Sequence, residues 1–401
     1  MIQAYIYDAI RTPRGRAKES GALHDLTPMD LLKVLYDALE ERTGFDKNKV
    51  EDVILGCVTQ ASEQAANIAK TSLLFANWPD HIPGITINRF CSSSLDAINF
   101  AALKVNAGQA SMTLAGGVEM MSRVPMLSDK ASVFTDVELA TQCRMLMMGN
   151  GADLIASQYG ISRENVDAVA VLSQQRAATA RANGWFKSIV AVENKVKGIT
   201  VSEDECIRQD ITQKDLAELA PSFAGLGANG VDAFQLKAHK NLSEITHVHT
   251  AGNSPAMADG AALVLIGDES VATTHGIKAR AKIITATSVC DDPLRVVSGC
   301  AAATAKLMQQ QGLTPADVDL FELHEAFAAT VIKCQQDLNI SEDKLNVNGG
   351  VIALGHPMGA TGAMMVGTVL DELERRNLKT GIVAASGAAG IGTAMLITTD
   401  F

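Results

Sequence analysis

The sequence predicts an α/β fold made of one unit used twice, with a helical lobe inserted into the first copy. Three observations carry this. Strand-like apolar runs alternate with Ala-rich helical stretches, the alternation recurs in both halves at similar spacing, and the texture changes between the halves.

In the first half, residues Asp30 to Leu39 have helical spacing and lead, after a polar turn, to the strand Val50-Glu51-Asp52-Val53-Ile54-Leu55-Gly56. About forty residues on, Cys91 opens an Ala-rich helix from Leu95 to Ala107, followed by the strand Met112-Thr113-Leu114-Ala115-Gly116-Gly117. In the second half, a helix from Ala301 to Gln310 leads to Val318-Asp319-Leu320-Phe321-Glu322-Leu323-His324. About forty residues later His356 precedes an Ala/Met-rich helix starting at Ala363.

Between them, Met121 to His249 lack regular alternation and carry helix signals. Ser162-Arg163-Glu164-Asn165 caps a helix that continues to Asn183. Ala261-Ala262-Leu263-Val264-Leu265-Ile266 then reads as a strand buried on both faces, where the first domain resumes. The expected division is 1–120 with 250–270 as the N-terminal domain, 121–249 as the inserted lobe, and 271–401 as the C-terminal domain.

A chain of 401 residues, 47% hydrophobic and 20% charged, can build two or three sizeable cores. Lys and Arg total 34 against 45 Asp and Glu, a net charge of -11 that disfavours nucleic acid as a partner. Met1-Ile2-Gln3-Ala4-Tyr5-Ile6-Tyr7-Asp8 lacks a basic start and a long apolar core, and no run is apolar enough to span a membrane, so a cytoplasmic location is expected. Seven cysteines, odd in number and without Cys-x-x-Cys spacing, read as reduced thiols.

Three places carry chemistry. Asn348-Gly349-Gly350-Val351-Ile352-Ala353-Leu354-Gly355-His356-Pro357-Met358-Gly359-Ala360-Thr361-Gly362 sets one imidazole among small residues, either as a tight strand-to-helix turn or as a loop cleared for a ligand. Cys91, after Ile85-Thr86-Ile87-Asn88-Arg89-Phe90, sits at a helix N-terminus, where the dipole and free N–H groups favour a thiolate and can hold a carbonyl oxygen as it becomes negative. His324 lies at a strand end, in Leu323-His324-Glu325-Ala326-Phe327. Two histidines from the second half can meet Cys91 between the halves as base and cation. No metal is expected: no His/Cys cluster has zinc spacing, and His247-Val248-His249 alternates like an exposed strand. The glycine-rich runs around His356 and Ser386 lack the Lys and Ser/Thr of a phosphate loop and the order of a dinucleotide fingerprint.

These residues resemble the thiolases, meaning acetyl-CoA acetyltransferases and 3-ketoacyl-CoA thiolases, over essentially the whole chain. The anchors are Asp8-Ala9-Ile10-Arg11-Thr12-Pro13, the Cys91 turn, Ala115-Gly116-Gly117-Val118-Glu119-Met120-Met121-Ser122, Met148-Gly149, Thr250-Ala251-Gly252-Asn253, His324-Glu325-Ala326-Phe327 and the Gly-His-Pro run. The resemblance implies a duplicated five-layer αβαβα fold with an inserted coenzyme A-binding loop domain, and a homodimer or homotetramer. It implies no tightly bound cofactor, with CoA and acyl-CoA as substrates. It makes Cys91 the acylated nucleophile, His356 its activator, and His324 a support for an oxyanion-site water. The backbone N–H groups of Cys91 and Ala388 form the oxyanion hole. Met147, Met148, Ser254 and Arg208 fall at CoA-contacting positions.

Departures from the family pattern are informative. Many thiolases have Asn at His324, and the His form resembles the branch that includes thiolase subunits of fatty-acid oxidation complexes, a possible partner assembly. Ser386 stands where the family has a second cysteine that exchanges the α-proton. A serine hydroxyl is far less acidic than a thiol of pKa about 8.5. This leaves two rivals open: a catalytically impaired acyl-CoA-binding subunit, or a condensing acyltransferase that needs no second cysteine. Met147 replaces a usual His, Pro255 a usual Ser, and about 224–248 is extra sequence that either tunes acyl preference or forms an inert surface loop.

Overall fold

The computed structural model describes residues 2–401. The first half runs β1 (Tyr5–Arg11), β2 (Gly15–Arg16), α1 (Pro28–Thr43), β3 (Asp52–Gly56), α2 (Ile68–Phe75), β4 (Gly84–Ile87), α3 (Ser93–Asn106) and β5 (Met112–Met120). The lobe adds α4 (Ser132–Thr135), α5 (Val137–Cys143), α6 (Met148–Tyr159), α7 (Arg163–Ala182), the hairpin β6 (Val192–Asn194) and β7 (Ile199–Val201), α8 (Gln213–Ala217), α9 (Ala224–Leu226) and α10 (Asp232–Ala238). Then come β8 (Ala258–Gly267), α11 (Glu269–His275), β9 (Ala281–Cys290), α12 (Gly299–Gln311), β10 (Leu320–Leu323), α13 (Ala328–Leu338), α14 (Val351–Leu354), α15 (Thr361–Arg376), β11 (Thr380–Ser386) and β12 (Ile391–Thr398).

The ends of these helices follow from the sequence. Thr27 caps α1 with a reciprocal box to Asp30, Pro28 opens it, and Gly44 ends it at φ 70°. Ser162 and Asn165 form the same kind of box at α7.

The duplication is visible in the pairing. In the first half β3 lies parallel to β4 and β5, and β8 is antiparallel to β5 and β1. In the second, β10 is parallel to β11, and β12 is antiparallel to β11 and β9. An isolated parallel bridge from Phe321 to Leu345 marks where a counterpart of β4 would pair. The half-sheets join edge to edge through β1 and β9 over Tyr5–Lys282 and Ile6–Ala281 alone.

Side-chain alternation then gives five layers. On β8, Leu263 and Leu265 pack outward with Leu31 and Leu35 of α1, while Val264 and Ile266 pack inward with Leu95 and Ile98 of α3. On the other sheet, Ile382 and Leu396 face Leu307 of α12, while Val383 and Met395 face Val366 and Leu370 of α15. Helices α3 and α15 therefore form one layer shared by both sheets. Every residue of α15 from Thr361 to Leu373 is buried, as expected for a helix with protein all round. Each buried Val, Leu or Met there contributes roughly 1.5–3 kcal/mol. Gly362 permits the contact, since a Cβ would stand 2.7 Å from the Leu95 backbone nitrogen.

Three expectations change. The His356 loop is not a strand-to-helix turn: the single helical turn α14 precedes it, and Gly355 reverses the chain at φ 104°. His247 to His249 form no strand. His249 is fully buried, with Nδ1 2.7 Å from Asp153 and Nε2 accepting from the Ala329 N–H at 3.3 Å, because Asp153 on α6 is a buried carboxylate that needs donors. The extra segment packs into the lobe and does not stand off as a surface loop. Gln235 on α10 is buried and donates to the carbonyls of Asn150 and Leu294, and His247 bridges Asp153 and Asp232. Among the described residues no helix is long and apolar enough to cross a membrane.

Candidate active site

Cys91 lies in the turn between β4 and α3, two residues before the helix opens. The turn is fixed from both sides. The Ser93 hydroxyl accepts from the Arg89 N–H at 2.8 Å, and the Ser92 hydroxyl donates to the Ala385 carbonyl at 2.9 Å, tying it to the end of β11. Cys91 opens onto a cavity but lies deep in the protein. That dehydration, reinforced by the negative charge of Glu119, pushes its thiol up to about 12, outweighing the backbone hydrogen bonding that lowers it. The resting group is a thiol, because burial exceeds the pull of the helix terminus.

His356 supplies the complement. Its Nε2 is 3.2 Å from Cys91 Sγ and its Nδ1 is 2.7 Å from Thr361 Oγ1. With the Thr361 hydroxyl donating to the Pro357 carbonyl at 3.1 Å, its oxygen is free to accept from Nδ1–H. Nε2 then carries the lone pair that faces the thiol. Burial, the neighbouring His324 and the buried Arg14 guanidinium hold His356 well below its ordinary pKa, so it rests neutral.

His324 follows β10 and lies beside His356, with ring centroids 4.6 Å apart. Its Nδ1 is 3.1 Å from the Ser386 carbonyl oxygen, and its Nε2 is buried with no partner. Burial lowers its pKa to about 4, with the Ser386 carbonyl opposing and Arg14 assisting. Ser386 departs from the sequence expectation. It is fully buried, its hydroxyl accepts from the Cys300 N–H at 2.9 Å at the start of α12, and it does not line the cavity. The turn that carries Ala388 comes close to the turn that carries Cys91: at Gly387 a Cβ would stand 3.1 Å from the Arg89 carbonyl oxygen and 3.2 Å from Phe90 Cβ.

The cavity over Cys91, about 280 Å³, is lined by Cys91, His324 and His356 and by six methionines, Met121, Met126, Met147, Met148, Met257 and Met358. Ser254, Pro255, Val297, Phe223 and Phe327 complete most of the wall, and the two phenylalanine rings meet edge to face at 5.8 Å. No Lys, Arg, Asp or Glu lines it. Of the sequence-predicted contact residues, Met147, Met148 and Ser254 reach this wall, and Ser254 donates to the Thr250 carbonyl at 2.6 Å. Arg208 is exposed elsewhere on the lobe, its N–H held by Gln174.

Sequence reasoning missed two supports. Thr361, five residues after His356, carried no motif signal. Glu119 sat in an anchor without a role: fully buried, it accepts from the N–H groups of Val58, Thr59 and Gly359 and from Gln64, fastening the His356 loop to the end of β3.

A neutral thiol and a neutral imidazole, facing an apolar cavity where two copies of an α/β unit meet, define a cysteine-dependent acyl-transfer site. Family comparison agrees: residues 4–270 match the thiolase N-terminal domain and 277–399 the thiolase C-terminal domain, and the chain belongs to the thiolase family. It is 38% identical to a beta-ketoadipyl-CoA thiolase of Acinetobacter baylyi, over 99% of both chains. It is 36% identical to the 3-ketoacyl-CoA thiolase of Photorhabdus laumondii, again over 99% of each. Among solved structures it resembles the acetyl-CoA acetyltransferase of Bacillus anthracis, with a TM-score of 0.85 and 32% identity over 99% of both chains.

Proposed function

We propose that this thiolase cleaves 3-oxoacyl-CoA thioesters with CoA, and runs the reverse condensation of acetyl-CoA, through an acyl group carried on Cys91. The observation that supports it most directly is the 3.2 Å approach of His356 Nε2 to Cys91 Sγ with the tautomer set by Thr361. His356 takes the thiol proton as the sulfur attacks C3, and the N–H groups of Cys91 and Ala388 receive the oxyanion. A water accepted by His324 Nε2 has a second hydrogen to offer that oxyanion. A second CoA thiol then collects the shortened acyl group.

The lobe 121–249 holds CoA in this reading, with Met147, Met148 and Ser254 near the reacting end and Arg208 toward the nucleotide. The uncharged, methionine-rich wall favours an apolar acyl chain over a carboxylate-terminated chain such as that of beta-ketoadipyl-CoA, named for one relative. One observation favours a second reading, an acyl-CoA-binding subunit that does not turn over: the hydroxyl of Ser386 where a thiol is usual.

The assay is cleavage of acetoacetyl-CoA, longer 3-oxoacyl-CoA and 3-oxoadipyl-CoA by free CoA, with mass spectrometry of Cys91. Turnover with a transient acyl-Cys91, lost in Cys91→Ala, is expected. A stable acyl-Cys91 without turnover selects the binding subunit, and an unacylated Cys91 removes both readings.

A homodimer is part of the proposal. β4 is one edge of the sheet, and Ile85 on it, with Leu74, Phe75, Phe100 and Leu103 on α2 and α3, leaves large apolar side chains exposed.

A further inference from the structure

Making or breaking the C2–C3 bond of a 3-oxoacyl thioester requires a group that gives or takes a proton at C2. Ser386, at the position where such a group is expected, does not line the cavity, and its hydroxyl is occupied by the Cys300 N–H at 2.9 Å. Another side chain has what the step needs. The Ser386 carbonyl oxygen can only accept, so the 3.1 Å contact puts the hydrogen of His324 on Nδ1 and leaves Nε2 a bare lone pair. That Nε2 is buried and unpartnered, on a ring that is 2% exposed and lines the same cavity as Cys91. A buried, unpaired acceptor costs stability unless something occupies it.

We propose that His324 Nε2, and not Ser386, exchanges the proton at C2, in relay with His356; this rests on the thiolase reading of the site. In cleavage, the Cys91 thiol proton passes to His356 Nε2 as sulfur bonds to C3. It passes through the water held at His324 Nε2 to that nitrogen, the two rings lying 4.6 Å apart centroid to centroid. The C2–C3 bond breaks with its electron pair on C2, and His324 delivers the proton there, releasing acetyl-CoA. One S–H and one C–C bond are lost; one S–C and one C–H bond are gained, and no oxidant or reductant is involved. In condensation the same proton runs from C2 through both histidines to the departing Cys91 sulfur. An imidazolium of low pKa is a strong acid, which suits delivery to a departing carbanion. Ser386 acts in this scheme through its carbonyl, which sets the tautomer of His324.

The test measures, with the full-length protein, deuterium exchange from D2O into the methyl group of acetyl-CoA alongside acyl-Cys91 formation from the same thioester. In His324→Asn, exchange should fall at least 100-fold while acylation falls less than tenfold, which also reports that the variant is folded. Exchange in His324→Asn within threefold of the unmodified protein would make His324 only a water holder and overturn the proposal. So would exchange and acylation falling equally. If the unmodified protein forms no acyl-Cys91, the thiolase reading fails first and the relay falls with it.

Discussion

Thr361 decides which nitrogen of His356 faces Cys91. Its hydroxyl, 2.7 Å from Nδ1 and 3.1 Å from the Pro357 carbonyl oxygen, accepts from the ring when its own hydrogen goes to the carbonyl. Without it both tautomers become available, and the imidazolium formed on attack loses a partner. Thr361→Val should cost about 1.5–3 kcal/mol, the range for a hydrogen bond to a charged group, seen as a fall of about tenfold to 100-fold in kcat/KM. Thr361→Ser should keep most of the activity. Equal rates for the valine and unmodified enzymes would show that the tautomer is set elsewhere.

The thiol of Cys91, pushed up to about 12 by burial and Glu119, should react as a thiol that needs a base. Because its pKa is raised, the thiolate fraction grows with pH throughout the neutral range. Iodoacetamide labelling of Cys91 should therefore climb steadily from pH 6 to 10 and should slow in His356→Ala. A plateau already reached below pH 7 would mean a preformed thiolate–imidazolium pair.

Glu119 offers two readouts at once. Glu119→Gln replaces a carboxylate that accepts four N–H hydrogen bonds and a long one from the Cys57 thiol by an amide whose NH2 confronts some of those donors, costing about 1–3 kcal/mol. The melting temperature should drop by several degrees. Removing the negative charge should also ease ionisation of Cys91, so labelling of the folded variant at pH 8 should be faster. Slower labelling with an unchanged melting temperature would contradict both halves of this account.

His324 gives a pH signature. Its pKa is lowered to about 4, so the neutral, accepting form is present above that value and is lost as pH falls through it. Exchange at C2 of acetyl-CoA should stay level between pH 8 and about 5 and decline below. An alkaline limb near pH 8 to 9 would instead point to a titrating thiol.

Much of this was legible in the sequence because period and punctuation acted together. Ser162 with Asn165 marked α7, the continuous run at Ala261 to Ile266 marked the central strand β8, and the repeated spacing revealed two similar halves. Cys91, His356 and His324 were found because small residues and element ends surround them, and the structure brings all three to one cavity. What stayed hidden depends on direction and partners. A motif position places Ser386 in the chain, yet its hydroxyl is claimed by the Cys300 N–H, which lies 86 residues away. The alternation of His247 and His249 suggested an exposed strand because a sequence does not show that Asp153 is buried opposite them.

The edge strand β4 should carry self-association. Ile85→Lys with Leu103→Glu, both at exposed positions of this apolar face, should shift the protein from dimer to monomer in light scattering while leaving the monomer folded. An unchanged dimer mass would move the interface to another face.

The shared layer of α3 and α15 places Cys91 at the opening of one helix and His356 at the opening of its counterpart. Two identical, separately encoded halves would present the same residue at both openings, a cysteine facing a cysteine or a histidine facing a histidine. Joining the copies in one chain frees each opening to diverge. The nucleophile and its base are thus a product of broken symmetry, and a change confined to either half can alter only one member of the pair.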